Sequence, residues 1–419
     1  MLTKEENELI CRVGPGTPMG GVLRRYWLPV CLAEEVAEPD GPPVAARLAG
    51  EDLVVFRDSD GRIGLLDEHC PHRGASLAIG QNGLGGLSCL YHGWKYDVSG
   101  RCLEMPTEPE DTPYREKVRA VSYPVREAGG LLWTYLGPQE LTPSFPNFEF
   151  IAVSSPNRAA AKLIGNANFV QAIEGGIDSA HAPILHKSEI KPTPGSPYPS
   201  MDTRPSLEME DTEYGFRYAA IRKTLEDPEN KFFVRITEFI APFYAQVAPR
   251  LMQIFVPVDD YHTASYLILY DPVRPVDADF LRTMQGLRLG IDLDAAYRPF
   301  RQRGNKWLQD REAMRSGESW TGVHGILMQD NLVQESMGPI QDRTREHLAS
   351  ADMAVIQMRR VLLDCVRRVQ DGGAPAGLES DLQKAIGAVG IIERGQPWQS
   401  LLEKDGEGSS GRFQIFERR

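Results

Sequence analysis

The sequence predicts an α+β fold with two domains, the first built mainly from β-strands and the second from helices that flank a central sheet. At 419 residues the chain is long for a single hydrophobic core. Short apolar runs between turn residues fill the stretch from about residue 40 to about 140, whereas helical periods appear only later. Prolines between 138 and 146 separate the strand-rich stretch from the stretch with helical periods. We therefore expect a first domain at 1–145, with its core at about 40–140, and a second at 146–419.

The first domain alternates strands and turns. Apolar runs at 53–56 and 63–66 flank the turn sequence DSDG at 58–61, which predicts a β-hairpin. The run LLWTYL at 131–136 is rich in aliphatic and aromatic residues and predicts a further strand. This part of the chain is therefore expected to be almost wholly β.

The second domain mixes helices with strands. Apolar residues at helical spacing predict a helix over 166–182, and Pro183 is expected to end it near Ala182, because proline disfavours helix in the residue before it. The stretch 251–270 is rich in Val, Ile, Tyr and Phe, which predicts strands of the central sheet.

A long helix is expected near the end of this domain. Asp342 is its predicted N-cap, apolar residues recur at positions 348, 355, 362, 366 and 369, and Gly372 and Gly373 are expected to stop it. The tail that follows is rich in Gly, Ser and charged residues at 405–411. It offers little core, so we expect it to be loosely held.

The bulk properties exclude several classes of function. A net charge of −12 argues against nucleic acid as a partner, because no basic stripe is available to neutralise phosphates. No run of eighteen apolar residues is present, and the acidic N-terminus lacks the features of a signal peptide, so neither a membrane location nor export is expected. Four cysteines stand outside any metal-binding spacing and are expected to be reduced, which fits the cytoplasm. These are Cys11, Cys31, Cys102 and Cys365.

Two short Cys/His pairs form the most specific pattern in the first domain. Cys70 and His72 make a C-x-H pair, and Cys89 and His92 make a C-x-x-H pair sixteen residues later. With six Cys and eight His in the chain, this pattern arises by chance on the order of 3 × 10⁻⁵ times. Two thiolates and two imidazoles match a Rieske [2Fe–2S] cluster, which takes Cys on one iron and His on the other. A structural zinc site is the alternative, although zinc ligands usually come as a C-x₂₋₄-C pair and an H-x₃₋₅-H pair.

A second candidate metal site lies in the second domain. His181 and His186 are five residues apart, which on one ideal helix leaves them about 140° apart, too far round to grip the same metal. A helix that ends near Pro183 allows His186 to turn back toward His181. Two His and one carboxylate on one side of an iron form the facial triad that binds Fe(II) and leaves positions open for O₂.

The flanks of these motifs resemble a known family. The loops CPHRG at 70–74 and CLYHGWKYD at 89–97 resemble the two cluster-binding loops of Rieske proteins, and the sequence DSAHAPILH at 178–186 resembles the D-x-x-H-x₄-H iron motif. Together they resemble the large oxygenase subunit of Rieske non-haem iron aromatic-ring-hydroxylating oxygenases. The segments GPGTPMG at 14–20 and QESMGP at 334–339 are most similar to the phthalate dioxygenase-like group. The resemblance implies an all-β Rieske domain followed by a catalytic domain with an antiparallel sheet.

The resemblance also implies a role for individual residues. His181, His186 and Asp330 are the implied iron ligands, since 330–335 matches the family's D-x-x-V-x-E segment. Asp342 is the rival carboxylate, although its expected place as a helix cap gives it a structural role. Asp178 is the implied bridge between an iron-ligand His and a cluster His of the neighbouring subunit, and its alternative is a solvent-facing helical Asp. Asn168 and Glu174 are expected as supporting residues around the ligands.

The implied function is that of an oxygenase component. A separate reductase, with flavin and an iron–sulfur centre, would pass electrons from NAD(P)H to the cluster, and the mononuclear Fe(II) would use O₂ against an aromatic acid. A homotrimer is the implied assembly. Ring dihydroxylation and O-demethylation of a methoxy-arene both fit these ligands, and a Rieske electron-transfer protein, the alternative from another class, would need only the first site. Five arginines between the His ligands and Asp330 are candidates for the substrate carboxylate, with Arg217 and Arg222 first. They are Arg204, Arg217, Arg222, Arg235 and Arg250.

Overall fold

Three small antiparallel sheets precede one large antiparallel sheet in the computed structural model of the protein, which describes residues 1–110, 112–190, 200 and 202–402. The α+β architecture predicted from the sequence is confirmed. The predicted loose tail at 405–411 lies outside the described residues. Along the described ranges, no helix has both the length and the apolar character that crossing a bilayer requires.

The small sheets occupy the first third of the chain. Their orders are β1-β10-β9, β2-β3-β4 and β5-β6-β7-β8. The strands are β1 (Trp27–Leu32), β2 (Val44–Leu48), β3 (Glu51–Arg57), β4 (Ile63–Asp67), β5 (Gln81–Gly83), β6 (Gly86–Ser88), β7 (Lys95–Tyr96), β8 (Cys102–Glu104), β9 (Val125–Ala128) and β10 (Leu131–Tyr135). The predicted hairpin at 53–66 is confirmed as β3 and β4, and the strand predicted at 131–136 is β10.

Strand β3 separates two apolar cores because its side chains alternate between its faces. Val54 and Phe56 pack into a small core that also contains Cys70 and Cys89. Leu53 and Val55 belong to the main core, which continues into the large sheet. The cores of the two parts of the chain therefore adjoin at this strand, and the domain boundary at residue 145 stays a prediction.

The large sheet has the order β11-β17-β16-β15-β14-β13-β12, and β18 pairs with β14 beside β15. Its strands are β11 (Arg158–Gly165), β12 (Ser206–Thr212), β13 (Gly215–Lys223), β14 (Lys231–Ile240), β15 (Tyr244–Ala248), β16 (Leu251–Pro257), β17 (Thr263–Tyr270) and β18 (Ala388–Glu393). The strands predicted within 251–270 are confirmed as β16 and β17. Both are buried along most of their length, as their apolar composition requires.

The helices are α1 (Lys4–Cys11), α2 (Pro18–Leu23), α3 (Glu149–Ala152), α4 (Phe169–Ile177), α5 (Ala182–Leu185), α6 (Ala278–Gln285), α7 (Arg311–Ser316), α8 (Ile326–Ser336) and α9 (Met353–Gln370). Helix α4 packs against β15, β16 and β17 and also against α8 and α9. Gly176 permits this close approach, because a Cβ on it would lie 2.5 Å from the ring of Phe255. The sheet, α4 and α8 together form the scaffold of the second metal site.

The helix predicted over 166–182 is shorter than expected. Asn168 caps α4 through a hydrogen bond from the Val170 N–H, and the helix ends at Ile177, before Pro183. The side chain of Asp178 accepts a hydrogen bond from the Ala180 N–H, and such local bonds compete with helix continuation. Pro183 lies in the first turn of α5, where a proline costs no hydrogen bond. It begins a helix here and does not end one.

The long C-terminal helix begins later than predicted. Asp342 caps a short 3-10 turn through the Thr344 N–H, whereas α9 begins at Met353. The helix ends at Gln370, and Gly372 follows it with φ +82°, which agrees with the predicted stop. The segment between Asp342 and α9 is tied to α4 by ion pairs, and this tertiary contact takes the place of the predicted first turns.

Glu174 on α4 is the centre of those ion pairs. Its carboxylate accepts hydrogen bonds from Arg343 at 2.8 and 2.9 Å and from Arg359 of α9 at 2.7 Å. Arg343 is fully buried and also donates to Asn7 of α1, and Arg359 is bound at its other end by Glu346. Burial raises the pKa of Glu174, but the two guanidinium groups outweigh it and hold the pKa below its usual value. This network joins α1, α4 and α9.

We predict that Arg343→Met lowers the free energy of unfolding by about 3–5 kcal/mol, because it leaves the Glu174 carboxylate, whose side chain is only 13% exposed, short of one partner. Arg368→Met is the matched control, since Arg368 pairs with Asp364 on the exposed side of α9 and its side chain is 55% exposed. The control should lose less than about 1 kcal/mol. Urea unfolding followed by circular dichroism measures both. Equal small losses in the two variants would contradict a supporting role for the network.

Candidate metal centres

The two Cys/His pairs lie on loops that share one backbone pattern. The Cys70 N–H donates to the carbonyl of Ala75 at 2.9 Å, and the Cys70 carbonyl accepts from the Gly74 N–H at 2.8 Å. In the second loop, Cys89 makes the same two bonds with the Trp94 carbonyl at 2.8 Å and the Gly93 N–H at 2.9 Å. Both glycines are left-handed, with φ +75° and +73°, a conformation that other residues rarely adopt. The chain thus presents two matching turns, each with a Cys at its start.

The imidazole rings of the two loops face each other. The ring centres of His72 and His92 lie 4.4 Å apart, and His72 stacks on Trp94 with ring centres 4.3 Å apart. Nδ1 of His92 is buried and has no hydrogen-bond partner within the described ranges. A buried imidazole nitrogen that has no hydrogen-bond partner costs free energy unless it binds a metal. The residues therefore fit a cluster that takes one Cys and one His from each loop.

The cysteines of this site are more deeply buried than its two histidines. Cys70 and Cys89 are 2% and 3% exposed, and the Cys70 sulfur lies 3.4 Å from the Tyr96 hydroxyl. Burial raises the pKa of the Cys70 thiol, and the nearby Cys89 thiol adds to that increase. A thiolate is thus unfavourable here without a metal, and binding to iron would supply the stabilising charge.

The second centre brings three ligand atoms together. Nε2 of His181 lies 3.3 Å from Nε2 of His186, and Oδ1 of Asp330 lies 3.4 Å from the first and 3.2 Å from the second. Three donors at right angles around a metal, each at about 2.1 Å, lie about 3.0 Å apart. The triangle therefore fits one face of an iron ion. These three residues form a group whose ligand atoms all lie within 4.8 Å of one another.

Two helices position this triangle. His181 and His186 stand immediately before and after the short helix α5, and their rings converge from its two ends. Asp330 lies in α8 and is 9% exposed. The rival carboxylate, Asp342, is exposed and bonds to Thr344 instead. The geometry therefore favours Asp330 over Asp342 as the third ligand, and this assignment stays a prediction.

The second nitrogen of each imidazole has its own acceptor. Nδ1 of His181 lies 3.3 Å from Oδ2 of Asp178, and Nδ1 of His186 lies 2.8 Å from Oε1 of Gln329. These contacts place the proton on Nδ1 and leave Nε2 free to bind a metal. Sequence reasoning missed Gln329, because a Gln beside an Asp on a helix has no pattern of its own.

The centre favours positive charge. Burial raises the pKa of Asp330, but the two imidazoles outweigh it and hold the pKa well below its usual range. Burial lowers the pKa of His181, but hydrogen bonds with Asp178 and Asp330 overcome that effect and raise the pKa to about 10. A metal cation in the triangle would replace a proton.

Two residues that were expected to support the ligands have other partners. Asn168 caps α4, and its amide donates to the carbonyls of Cys11 and Asp260 at 2.9 and 2.8 Å. Glu174 binds Arg343 and Arg359 in the network described above. The structure thus assigns both residues to holding α4 in place, since a side chain on a helix can serve only the face it occupies.

A cavity opens beside the metal triangle. Arg235 of β14 and Gln253 of β16 line it together with Asp178 and the metal-binding residues, and its apolar wall comes from β15–β17 and α8. Nε of Arg235 and Oε1 of Gln253 are buried without a hydrogen-bond partner among the described residues. The apolar lining residues are Val247, Leu251, Leu267 and Ile326.

The two arginines expected first to bind substrate lie elsewhere. Arg217 bonds to the Tyr214 hydroxyl at 2.9 Å and faces the buried Glu238 carboxylate at 3.3 Å. Arg222 is 1% exposed and donates to the Ser179 carbonyl at 2.6 Å. Both face structural partners, so the preference for Arg217 and Arg222 is corrected. Among the five candidate arginines, the cavity lining contains Arg235.

Comparison with known families agrees with this geometry. Residues 26–124 match the Rieske [2Fe-2S] domain, and residues 134–413 match the family described as LigXa C-terminal domain like. The chain belongs to the Rieske non-haem iron oxygenases. It is an oxygenase large subunit, with a [2Fe–2S] cluster domain and a mononuclear iron domain. Oxygenase subunits of this family work in multicomponent systems that need a reductase.

Individual relatives match along nearly the whole chain. The phthalate 4,5-dioxygenase oxygenase subunit of Pseudomonas putida is 44% identical, over 97% of this chain and 93% of its own length. The 5,5'-dehydrodivanillate O-demethylase oxygenase subunit of a Sphingobium species is 32% identical, over 92% and 86%. Among solved structures, NdmA of Pseudomonas putida CBB5 matches with a TM-score of 0.57 at 20% identity, over 91% of this chain and 99% of that one. At that identity the likeness shows the fold alone.

We predict that Asp330→Ala removes the mononuclear iron but leaves the visible absorption of the cluster unchanged, because two imidazoles alone hold Fe(II) weakly. Asp342→Ala is the control and should keep its full iron content. Iron per cluster, measured by elemental analysis against the visible absorption, separates the two sites. Iron loss in Asp342→Ala with retention in Asp330→Ala would overturn the ligand assignment.

Proposed function

We propose that this protein is the oxygenase component that hydroxylates an aromatic acid, phthalate-like or benzoate-like, with O₂. The observation that carries this proposal is the cavity that the metal triangle of His181, His186 and Asp330 lines together with Arg235 and several apolar side chains. The relative at 44% identity is named a phthalate 4,5-dioxygenase oxygenase subunit, which supports the same class of substrate.

Arg235 is the proposed partner of the substrate carboxylate. It is 9% exposed and lies on β14, a central strand, so its guanidinium is held by a rigid element. A buried guanidinium with an unpaired N–H attracts an anion, and carboxylate matches its planar fork. The aliphatic side chains of Val247, Leu251 and Leu267 would then contact the ring of the substrate.

The metal centre supplies the oxygen chemistry when iron is bound, since a facial triad leaves coordination positions open for O₂. The residues of the chain itself position that centre. Asp178 and Gln329 fix the tautomers of the two imidazoles. Asp330 is the one negatively charged member of the metal triangle. The apolar wall limits the access of water to the site.

We propose that Asp178 couples the iron site to the cluster of a neighbouring subunit in a homotrimer. Its Oδ2 faces Nδ1 of His181 at 3.3 Å, and its side chain is 23% exposed, so it can be reached from outside the subunit. A carboxylate that holds one imidazole can accept a second N–H from another chain. Burial raises the pKa of Asp178, but the bond with His181 outweighs it and keeps the carboxylate charged.

An electron donor and a cellular location follow from the same proposal. The electron donor would be a reductase with flavin and an iron–sulfur centre, which takes its electrons from NAD(P)H. A cytoplasmic location is supported by the cysteines, all six of which are buried and free of disulfides. A Rieske protein that only transfers electrons would have no use for the metal triangle, and this disfavours that alternative.

O-demethylation of a methoxylated aromatic acid is the second candidate. The relative at 32% identity is named an O-demethylase oxygenase subunit, and the same ligand set serves both reactions. The products distinguish them, because dihydroxylation gives a ring diol and O-demethylation releases formaldehyde. Substrate-dependent O₂ uptake with phthalates, phenoxybenzoates and methoxylated benzoates, followed by product analysis, decides between the two.

We predict that Arg235→Gln raises KM for the best acid of that panel roughly ten- to a hundredfold, since a charge-assisted contact contributes about 1.5–3 kcal/mol. Activity on the neutral amide should scarcely change. Arg250→Gln is the control, because Arg250 pairs with Asp271 at the surface and is 43% exposed. If neutral arenes are turned over better than every acid, the aromatic-acid assignment fails although the oxygenase assignment stands.

We predict that Asp178→Asn keeps both metals but slows electron transfer from cluster to iron site by about 10–100-fold, because the amide preserves shape without charge. Reaction of the pre-reduced protein with O₂ and substrate in a single turnover, followed at the visible band of the cluster, measures the rate. Fast cluster oxidation in the variant would remove the proposed coupling.

A further inference from the structure

A chain of hydrogen bonds runs from His186 to the protein surface. Nδ1 of His186 contacts Oε1 of Gln329 at 2.8 Å, and Nε2 of Gln329 lies 3.4 Å from Oε1 of Glu189. Nδ1 of His324 lies 3.2 Å from this same oxygen of Glu189 and 3.1 Å from the other. Exposure rises along this chain, from 3% for the side chain of His186 to 14% for Glu189 and 52% for His324.

The orientation of the Gln329 amide decides what His186 can do. Its NH₂ group donates to the carbonyl of Val323 at 2.7 Å and faces the carboxylate of Glu189, so its oxygen is the atom left for His186. A flipped amide would set that oxygen against a carbonyl and a carboxylate, neither of which can donate a hydrogen bond. It would also present NH₂ to Nδ1 and so favour the tautomer with a proton on Nε2, which cannot bind a metal.

Glu189 is well placed to hold that orientation. Its backbone N–H donates to the His186 carbonyl at 2.9 Å, which fixes it just beyond α5. The hydrogen bond with Glu189 raises the pKa of His324, although burial opposes it, and this favours an imidazolium beside the carboxylate. The two iron-ligand imidazoles are therefore supported differently. His181 contacts the Asp178 carboxylate directly, whereas His186 contacts a neutral amide that a carboxylate holds from behind.

We propose that Glu189 is a positioning residue for the mononuclear iron site, acting through the amide of Gln329 to keep His186 in its metal-binding tautomer. This inference rests on the proposed iron site. It assigns to Glu189 and Gln329 a role that the ligand motifs do not contain. His324 is the outer end of the chain and holds the Glu189 carboxylate in line.

The affinity for Fe²⁺ alone, without substrate or reductase, tests this proposal. Gln329→Leu removes the acceptor and should raise the dissociation constant for Fe²⁺ about 10–100-fold. Glu189→Gln keeps the size of the side chain but removes the charged acceptor that holds the Gln329 amide together with the Val323 carbonyl, and it should raise the constant about tenfold. Competition with a coloured chelator on the purified holoprotein gives each constant, and the absorption of the cluster verifies that each variant is folded.

A double variant separates action through Gln329 from a general structural effect. If Glu189 acts through the amide, adding Glu189→Gln to Gln329→Leu should weaken Fe²⁺ binding no further. Asp259→Asn is the matched control, since Asp259 forms a comparable carboxylate–imidazole pair with His262 at 2.9 Å. The control should keep the affinity of the unaltered protein.

The visible spectrum of Co²⁺ in the site provides a readout that stability alone would not move. A change of ligand geometry should shift the Co²⁺ bands in Glu189→Gln and Gln329→Leu but not in Asp259→Asn. An unchanged Fe²⁺ affinity and Co²⁺ spectrum in Glu189→Gln, or fully additive effects in the double variant, would overturn the inference while leaving the iron site in place. If the unaltered protein binds no Fe²⁺ at all, the proposed function itself fails.

Discussion

The second half of this protein depends on one constraint. Nε2 of His181, Nε2 of His186 and Oδ1 of Asp330, three electron-rich atoms, are held 3.2–3.4 Å apart. Two imidazole nitrogens and a carboxylate oxygen at such distances are stable only with positive charge among them, from protons or from a metal. Helices α5 and α8 and the sheet beneath them hold these three atoms in place despite their repulsion. It also directs the outer nitrogens of both imidazoles to acceptors, so that the inner nitrogens face the metal position.

The ion pairs around Glu174 explain how this arrangement is kept rigid. Helix α4 lies on the sheet just before the iron-binding turn, and any shift of α4 would move Asp178 and His181 with it. Arg343 and Arg359 hold the outer face of α4 against α1 and α9, while Gly176 lets its inner face approach β16. The network therefore supports the metal site without touching it. It also provides the partners of an acidic side chain that was expected, from the sequence, to support the ligands.

Local sequence predicted those features that depend on neighbouring residues. The hairpin around 58–61, the strands at 251–270 and the stop of α9 at Gly372 follow from turn chemistry and composition. The ends of α4 and the start of α9 did not follow. Pro183 is compatible with either the end or the first turn of a helix, and Asp342 caps a 3-10 turn as readily as a long helix. Tertiary contacts decided both cases.

The residues of the candidate site fall into the same two groups, those that local sequence predicts and those that tertiary packing brings together. Ligand motifs with fixed spacing predicted the Cys and His residues, and a family segment predicted Asp330, because the ligands of each metal centre must converge on it. Gln329 lies on α8, Glu189 just beyond α5 and Arg235 on β14, and only the packing of these parts of the chain brings them around the metal triangle. An arginine on a central strand resembles any other in sequence, so nothing in the sequence favoured Arg235 over the other four candidates.

The central claim is that one chain holds both a Rieske cluster and a separate iron ion. Iron, acid-labile sulfide and zinc contents of the purified protein, measured together with its visible absorption spectrum, test it most directly. We expect a red-brown protein with the spectrum of an oxidised Rieske cluster and with one iron per chain beyond the two that the cluster contains. A colourless protein with stoichiometric zinc and no sulfide would contradict the account.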